Sequence, residues 1–187
     1  AAPHGVFSVA RRFDPELDAF LVAETLRPVQ TQAGFTVLPN YGFNDAPDMD
    51  AFLIPGGFGL RQEINNGRLH DFIRALPDKT LLTSVCTGSW IYARMSLLDG
   101  KAATNRKEPD RLEASNMGKV PIERLAEIAP KVRVSRARVV DSGRLISAGG
   151  IASGMEMGLR VLRRAGYDET FIGEGARVME YKAADDL

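Results

Sequence analysis

The chain lacks most of the residues from which disulfide frameworks and metal sites are built. It has one cysteine and two histidines in 187 residues, which excludes an internal disulfide and a metal site made from cysteine pairs. His4 and His70 lie far apart in sequence, so no zinc or other metal site is expected. An excess of charge is missing too. The 24 basic and 24 acidic residues cancel, which argues against nucleic acid as a partner. No apolar run approaches the roughly 18 residues of a membrane span, and no signal peptide is expected. A cytoplasmic protein with no membrane partner is the expectation. No GK[ST] triplet occurs, which removes a P-loop. Gly56-Gly57-Phe58-Gly59 invites a dinucleotide reading, but the fingerprint counted from Gly57 needs glycine where Gln62 stands. No cofactor is expected.

What is present reads as one globular domain over residues 1–187. Hydrophobic residues make up 44% and charged residues 26%, which is enough to build a core in a chain of this length. Ala1 to Arg12 reads as a helix with Pro3 in its first turn or as a strand over Val6 to Val9. Strands are predicted over Ala19–Glu24, Phe35–Leu38 and Ala51–Ile54, with an extended piece around Pro28–Thr31 and a loop over Tyr41–Asp50. An amphipathic helix is predicted from Gln62 to Leu76. Further strands are expected at Thr80–Val85, Ala102–Thr104, Val132–Val134, Arg138–Val140 and Leu145–Ser147, with Asp141-Ser142-Gly143 as a turn. Lys107 to Ala129 reads as two helical pieces, and helices are expected at Ser89–Leu98, Ser153–Ala165 and Asp168–Glu180. This alternation predicts an α/β fold with a mostly parallel sheet.

The stretch Lys79 to Leu98 organises the rest. A buried strand runs into Cys86, and a helix carrying Trp90, Ile91, Met95 and Leu98 follows. Ser84 and Gly88 keep the flanks small, as a sharp strand-to-helix turn requires. That is the arrangement of a nucleophile elbow, with a helix N-terminus that favours a thiolate. A buried structural cysteine is the other reading.

Gly56 and Gly57 follow a neighbouring strand, and the N–H groups of Gly57 and Thr87 form a candidate oxyanion pair. Glycine in a tight turn with positive φ explains the same residues. Thr87 taken alone reads as a helix cap. His70 reads as part of a solvated helix face, and so do Arg160, Arg163 and Arg164. Trp90, Met155 and Met157 read as packing residues.

Three segments together are more specific: AFLIPGGFG over 51–59, TSVCTGSWIYARMSLLDGKAATN over 83–105 and VVDSGRLISAGGIASGMEMGL over 139–159. In this order they resemble the DJ-1/PfpI superfamily, from about Ala1 to Tyr181. The resemblance implies a flavodoxin-like, doubly wound sheet of the class I glutamine amidotransferase type, with the elbow at Cys86. It also implies a homodimer, and it makes the first segment a helix.

By motif, the resemblance makes Cys86 the elbow cysteine and Gly57 the oxyanion-side glycine; the expected catalytic residues are Cys86, Thr87 and Gly57, and Gly56, Phe58 and His4 are expected to bind a small-molecule substrate. Protease-like members carry His directly after the cysteine, whereas Cys-Thr-Gly is similar to isonitrile hydratases and to ligand domains of AraC-type regulators. The implied activity is cysteine-dependent hydration or hydrolysis of a small electrophile. A redox-sensing or ligand-binding module, or a glyoxalase- or deglycase-like enzyme, would use the same cysteine. The family also has a first strand followed by an acid that contacts the cysteine sulfur. Both would precede Ala1, so either the sequence starts late or another segment fills that place.

Overall fold

The computed structural model describes residues 2–109 and 119–182. Two compact units divide the chain: Phe20–Gly150, and a terminal unit formed by Ala1–Ala19 with Ile151–Leu187.

The central unit is built on a four-stranded sheet of order β5 (Ala51–Ile54), β6 (Leu81–Val85), β10 (Leu145–Ala148) and β9 (Val139–Ser142). The β5–β6 and β6–β10 pairs are parallel and β9 is antiparallel, so the sheet is mostly parallel as expected. Leu82 to Val85 and all of β10 are buried. A strand covered on both faces has to be apolar or small throughout, and LLTSV and LISA are. Beyond β5, no strand among the described residues extends this sheet.

Smaller ladders surround it. β1 (Val22–Ala23) runs parallel to β4 (Tyr41–Gly42), and β2 (Val29–Gln30) pairs antiparallel with β3 (Thr36–Val37). β7 (Ala102–Ala103) runs parallel to β8 (Arg133–Val134). β4 lies inside the stretch expected to be loop. Its signal is Asn40, whose Oδ1 accepts from the Leu21 N–H at 2.8 Å while its own N–H donates to the Leu21 carbonyl at 2.8 Å. One side chain therefore pins a ladder too short to show periodicity.

The helix predicted over Gln62–Leu76 is two helices, α2 (Leu60–Glu63) and α3 (Gly67–Ala75). Asn66 interrupts it in an extended conformation, and its side chain caps α3 by accepting from the Leu69 N–H at 3.2 Å. His70 is half-buried rather than solvated, and its Nε2 donates to the Ile64 carbonyl at the break (3.1 Å). α4 (Ser89–Arg94) stops before the predicted Leu98, and Ser96 turns the chain at φ 59°. Asp141 and Ser142 belong to β9, and the turn falls on Gly143 at φ 80°. Of the two helical pieces expected over Lys107–Ala129, the second is α5 (Pro121–Ile128). The first falls on 110–118, outside the described residues.

The core of this unit gathers Ile54, Leu82, Ile91, Leu98, Leu125 and Leu145 around Trp90 and Tyr92. Each such side chain contributes about 1.5–3 kcal/mol when fully buried. Trp90 is a packing residue whose Nε1–H donates to the Pro121 carbonyl at 3.1 Å, joining α4 to α5. The Tyr92 hydroxyl donates to the Thr83 carbonyl at 3.2 Å, and burial pushes its pKa far up.

In the terminal unit, α1 (Ala2–Ala10) packs on α6 (Ser153–Arg164) and α7 (Glu169–Val178). Val6, Ala10, Leu159, Leu162 and Ile172 form its core. Gly158 lets the helices close, since a Cβ there would stand 3.0 Å from the Val6 side chain. The first segment is a helix, as the family resemblance implies. Met157 is fully buried, and Arg160, Arg163 and Arg164 are exposed, as the pattern predicted. The Tyr167 hydroxyl donates to Asp14 Oδ2 at 2.5 Å, and this bond to a carboxylate raises the phenol to about 12. Among the described residues no helix is long and apolar enough to cross a membrane.

Candidate active site around Cys86

β6 ends in extended backbone at Val85 (φ −118°, ψ 138°), and the next residue, Cys86, has φ 55°. A left-handed conformation at a residue with a side chain costs about 1–2 kcal/mol, so the surroundings must enforce it. A single 3₁₀ turn over Cys86–Gly88 then leads into α4.

Two glycines make room for this turn. A Cβ on Gly56 would lie 2.7 Å from Cys86 Cβ and 3.0 Å from both the Thr87 nitrogen and the Val85 oxygen. A Cβ on Gly88 would lie 2.2 Å from the Ile54 carbonyl oxygen. The loops after β5 and β6 are thus in backbone contact, and neither position tolerates a side chain.

Gly57, at φ 143°, donates its N–H to Thr87 Oγ1 at 3.1 Å. The threonine is buried, and its hydroxyl bonds across to the neighbouring loop. Thr87 is therefore not a helix cap: α4 has no side-chain cap bond at its start. The capping expectation fails because the hydroxyl faces the glycine turn instead of the helix that follows.

The next N–H, that of Phe58, donates to Gln32 Oε1 at 3.1 Å, which draws the β2–β3 hairpin onto the glycine turn. The Arg61 guanidinium lies 4.9 Å from the centroid of the Phe58 ring and 5.9 Å from that of Trp90.

Behind Cys86 runs a row of buried polar groups that motif reading missed. The Ser89 hydroxyl donates to the Cys86 carbonyl at 3.4 Å, and the fully buried Asn105 donates from Nδ2 to Ser89 Oγ at 2.9 Å. Asn105 Oδ1 accepts from the Arg106 N–H at 2.6 Å. Beside it, the Thr104 N–H donates to Ser147 Oγ at 2.9 Å and the Thr104 hydroxyl to the Ala137 carbonyl at 2.9 Å. The one available signal was Thr104-Asn105 directly after an apolar strand, where a polar side chain must find a partner or stay wet. Ser84 Oγ, two residues before Cys86, is buried without a hydrogen-bond partner among the described residues.

The structure therefore brings Cys86, Thr87, Gly56, Gly57 and Phe58 together at the ends of two parallel strands. His4 is exposed on α1 in the terminal unit. Among the described residues, no three His, Cys, Asp or Glu side chains gather as a metal site would require.

This chain is similar to several known proteins. Isonitrile hydratase of Pseudomonas putida is 32% identical over 146 residues, which cover 78% of this chain and 58% of that protein. The HTH-type transcriptional regulator GbdR of Pseudomonas aeruginosa is 29% identical over 159 residues, covering 81% of this chain and 40% of the regulator. The chain thus spans less than two thirds of either relative. Among solved structures, a ThiJ/PfpI family protein from Pseudomonas syringae superposes with a TM-score of 0.76 at 26% identity, over 97% of this chain and 69% of its own. DJ-1 of Schizosaccharomyces pombe gives a TM-score of 0.71 at 19% identity, over 97% and 92% of the two chains. These likenesses give the flavodoxin-like α/β fold shared by DJ-1, ThiJ and PfpI proteins. The DJ-1/PfpI family matches residues 5–164, and this chain is a member of it.

Proposed function

We propose that the chain is a cysteine-dependent enzyme that hydrates or hydrolyses a small electrophilic substrate, in the manner the name isonitrile hydratase describes. The observation that carries this reading is Cys86 held at φ 55° between strand and helix, above glycines that clear the space around it. This reading takes the turn as a nucleophile elbow, which a strained strand-to-helix turn supports.

In this reading the Cys86 thiolate adds to the isonitrile carbon, negative charge develops at that carbon, and a proton from water converts it to a thioimidate. The N–H groups of Thr87 and Gly57 are the donors for that charge. The Gly57 N–H donates to Thr87 Oγ1, so a substrate atom that takes over this N–H also frees the hydroxyl to orient water. Water then adds to the same carbon while the nitrogen takes up a proton, and the hydroxyl loses its proton as the sulfur leaves as thiolate, which releases an N-substituted formamide. Phe58 and Gly56 border the approach to the thiol. A single domain over 1–187, a homodimer and a cytoplasmic setting belong to the same proposal.

The test is Cys86→Ser with an isonitrile as substrate. Turnover should fall at least about a thousandfold while the circular dichroism and unfolding midpoint hold. Retained turnover sinks the assignment. The match to GbdR favours a second reading, in which the site around Cys86 binds a ligand or senses oxidants without turnover. Ligand binding that persists in Cys86→Ser, from a native chain that turns nothing over, selects that reading.

A further inference from the structure

The glycine turn after β5 offers two consecutive N–H groups, those of Gly57 and Phe58. Among the described residues, neither donates to backbone. Each is held by a side chain from elsewhere in the chain: Thr87 Oγ1 accepts from Gly57 and Gln32 Oε1 accepts from Phe58, both at 3.1 Å. The carbonyls of the same two residues are held locally, by the N–H groups of Leu60 (3.3 Å) and Arg61 (3.2 Å) where α2 begins.

Gly57 needs such holding. It sits at φ 143°, and with no Cβ little in its own structure limits rotation there. A donor for developing charge stabilises most when it is already in place, because moving it during the reaction costs part of the gain. Gln32 Oε1 also stands 3.3 Å from where a Gly57 Cβ would be, so it covers the glycine as well as bonding its neighbour.

Gln32 can act as a clamp because the hairpin that presents it is itself stapled. Thr31 donates both its N–H (2.9 Å) and its hydroxyl (2.8 Å) to the Phe35 carbonyl, and the Gly34 N–H donates to the Thr31 carbonyl at 3.0 Å. Gln30 Nε2 donates to the Gly34 carbonyl at 3.2 Å, and Gln30 Oε1 accepts from the Thr36 hydroxyl at 3.0 Å. Gln32 is exposed at the tip between β2 and β3, so core packing does not account for its place.

The two clamps part company when substrate arrives. A substrate atom that takes over the Gly57 N–H removes it from Thr87 Oγ1. The bond from Phe58 to Gln32 is then the side-chain hold left on the N–H groups of the turn.

We propose that Gln32 is a positioning residue for the reaction at Cys86: from the hairpin tip it fixes the glycine turn, so that the Gly57 N–H stays in place as charge develops. The proposal rests on Cys86 and Gly57 acting as described under the proposed function, and it adds the residue that preorganises the donor.

The test compares turnover of n-butyl isonitrile by the native chain, by Gln32→Met, which keeps the length but not the oxygen, and by Gln32→Glu, which keeps the oxygen. Salt at about 0.5 M screens the charge that the glutamate adds at this exposed position. In Gln32→Met, kcat should fall about fivefold, the worth of one neutral hydrogen bond, with KM within about twofold of native. Gln32→Glu should recover most of that loss. Iodoacetamide is the control: the Cys86 thiolate forms the S–C bond and iodide leaves with the electron pair of the C–I bond, so no charge is left for the Gly57 N–H to stabilise. Its rate at Cys86 should stay at the native value in both variants.

An unchanged kcat in Gln32→Met, equal losses in the two variants, or a parallel fall in the iodoacetamide rate overturns the role of Gln32 and leaves the nucleophile standing. A native chain that alkylates at Cys86 but turns over no isonitrile overturns the proposed function, and the role of Gln32 falls with it.

Discussion

Two glycine pairs flank the cysteine strand, Gly56-Gly57 after β5 and Gly149-Gly150 after β10, and they are glycine for different reasons. The first pair is pressed against backbone: at Gly56 a side chain would meet Cys86 Cβ, the Thr87 nitrogen and the Val85 oxygen. At Gly149 it would meet first the end of a lysine side chain, which can swing away. Identical dipeptides at matching places in one sheet thus differ in what they protect. One holds the turn that strains the cysteine, and the other holds room for a charge.

Substitutions along this row sharpen the contrast. The largest loss of stability is expected at Gly88→Ala, where a methyl would sit 2.2 Å from the Ile54 carbonyl and one strand must move. About 3 kcal/mol of unfolding free energy should go, measured by urea denaturation. Gly56→Ala should cost about 2 kcal/mol and also slow the alkylation of Cys86, because the contact falls on the nucleophile itself. If that variant reacts at the native rate, the two loops are not coupled. Asn105→Ala should cost about 1.5 kcal/mol by leaving Ser89 with one partner fewer in a buried site, and urea titration reads this too. Gly149→Ala should cost about 0.5 kcal/mol or less, because the first atom a methyl meets in this buried position is the end of a flexible side chain. A loss as large as that at Gly56 would mean that both pairs guard backbone, and the contrast would vanish.

Much of the fold was legible where periodicity or apolar runs were long enough to speak. β5, β6, β10, α3 and α6 all show that kind of pattern, and Cys86 stood out through its flanks alone. The elements that escaped are held by single side chains. Asn40 makes β4, and Asn66 divides α2 from α3 inside a stretch that reads as one amphipathic helix. At the site, the glycines and the cysteine were readable because turns and close approaches restrict residue type. Thr87 was misread because a hydroxyl at a helix start has two possible partners, and only the neighbouring loop decides between them. Asn105 reaches Ser89 across 16 positions of chain and Thr104 reaches Ser147 across 43, and local pattern carries no trace of that.

The terminal unit joins residues 1–19 to 151–187, with the stretch from Phe20 to Gly150 between them. α1 therefore meets α6 and α7 only by closing a very long loop. For a flexible chain of roughly 130 residues, closure costs on the order of 4 kcal/mol of entropy before any contact forms. The contacts of Val6 with Gly158 and of Asp14 with Tyr167 must outweigh that cost whenever the intervening stretch is unfolded. Once that stretch is ordered, its two ends are fixed and most of the cost is gone. The first helix is thus conditional on the body of the chain, and the order of assembly runs from the inserted sheet outward to the termini.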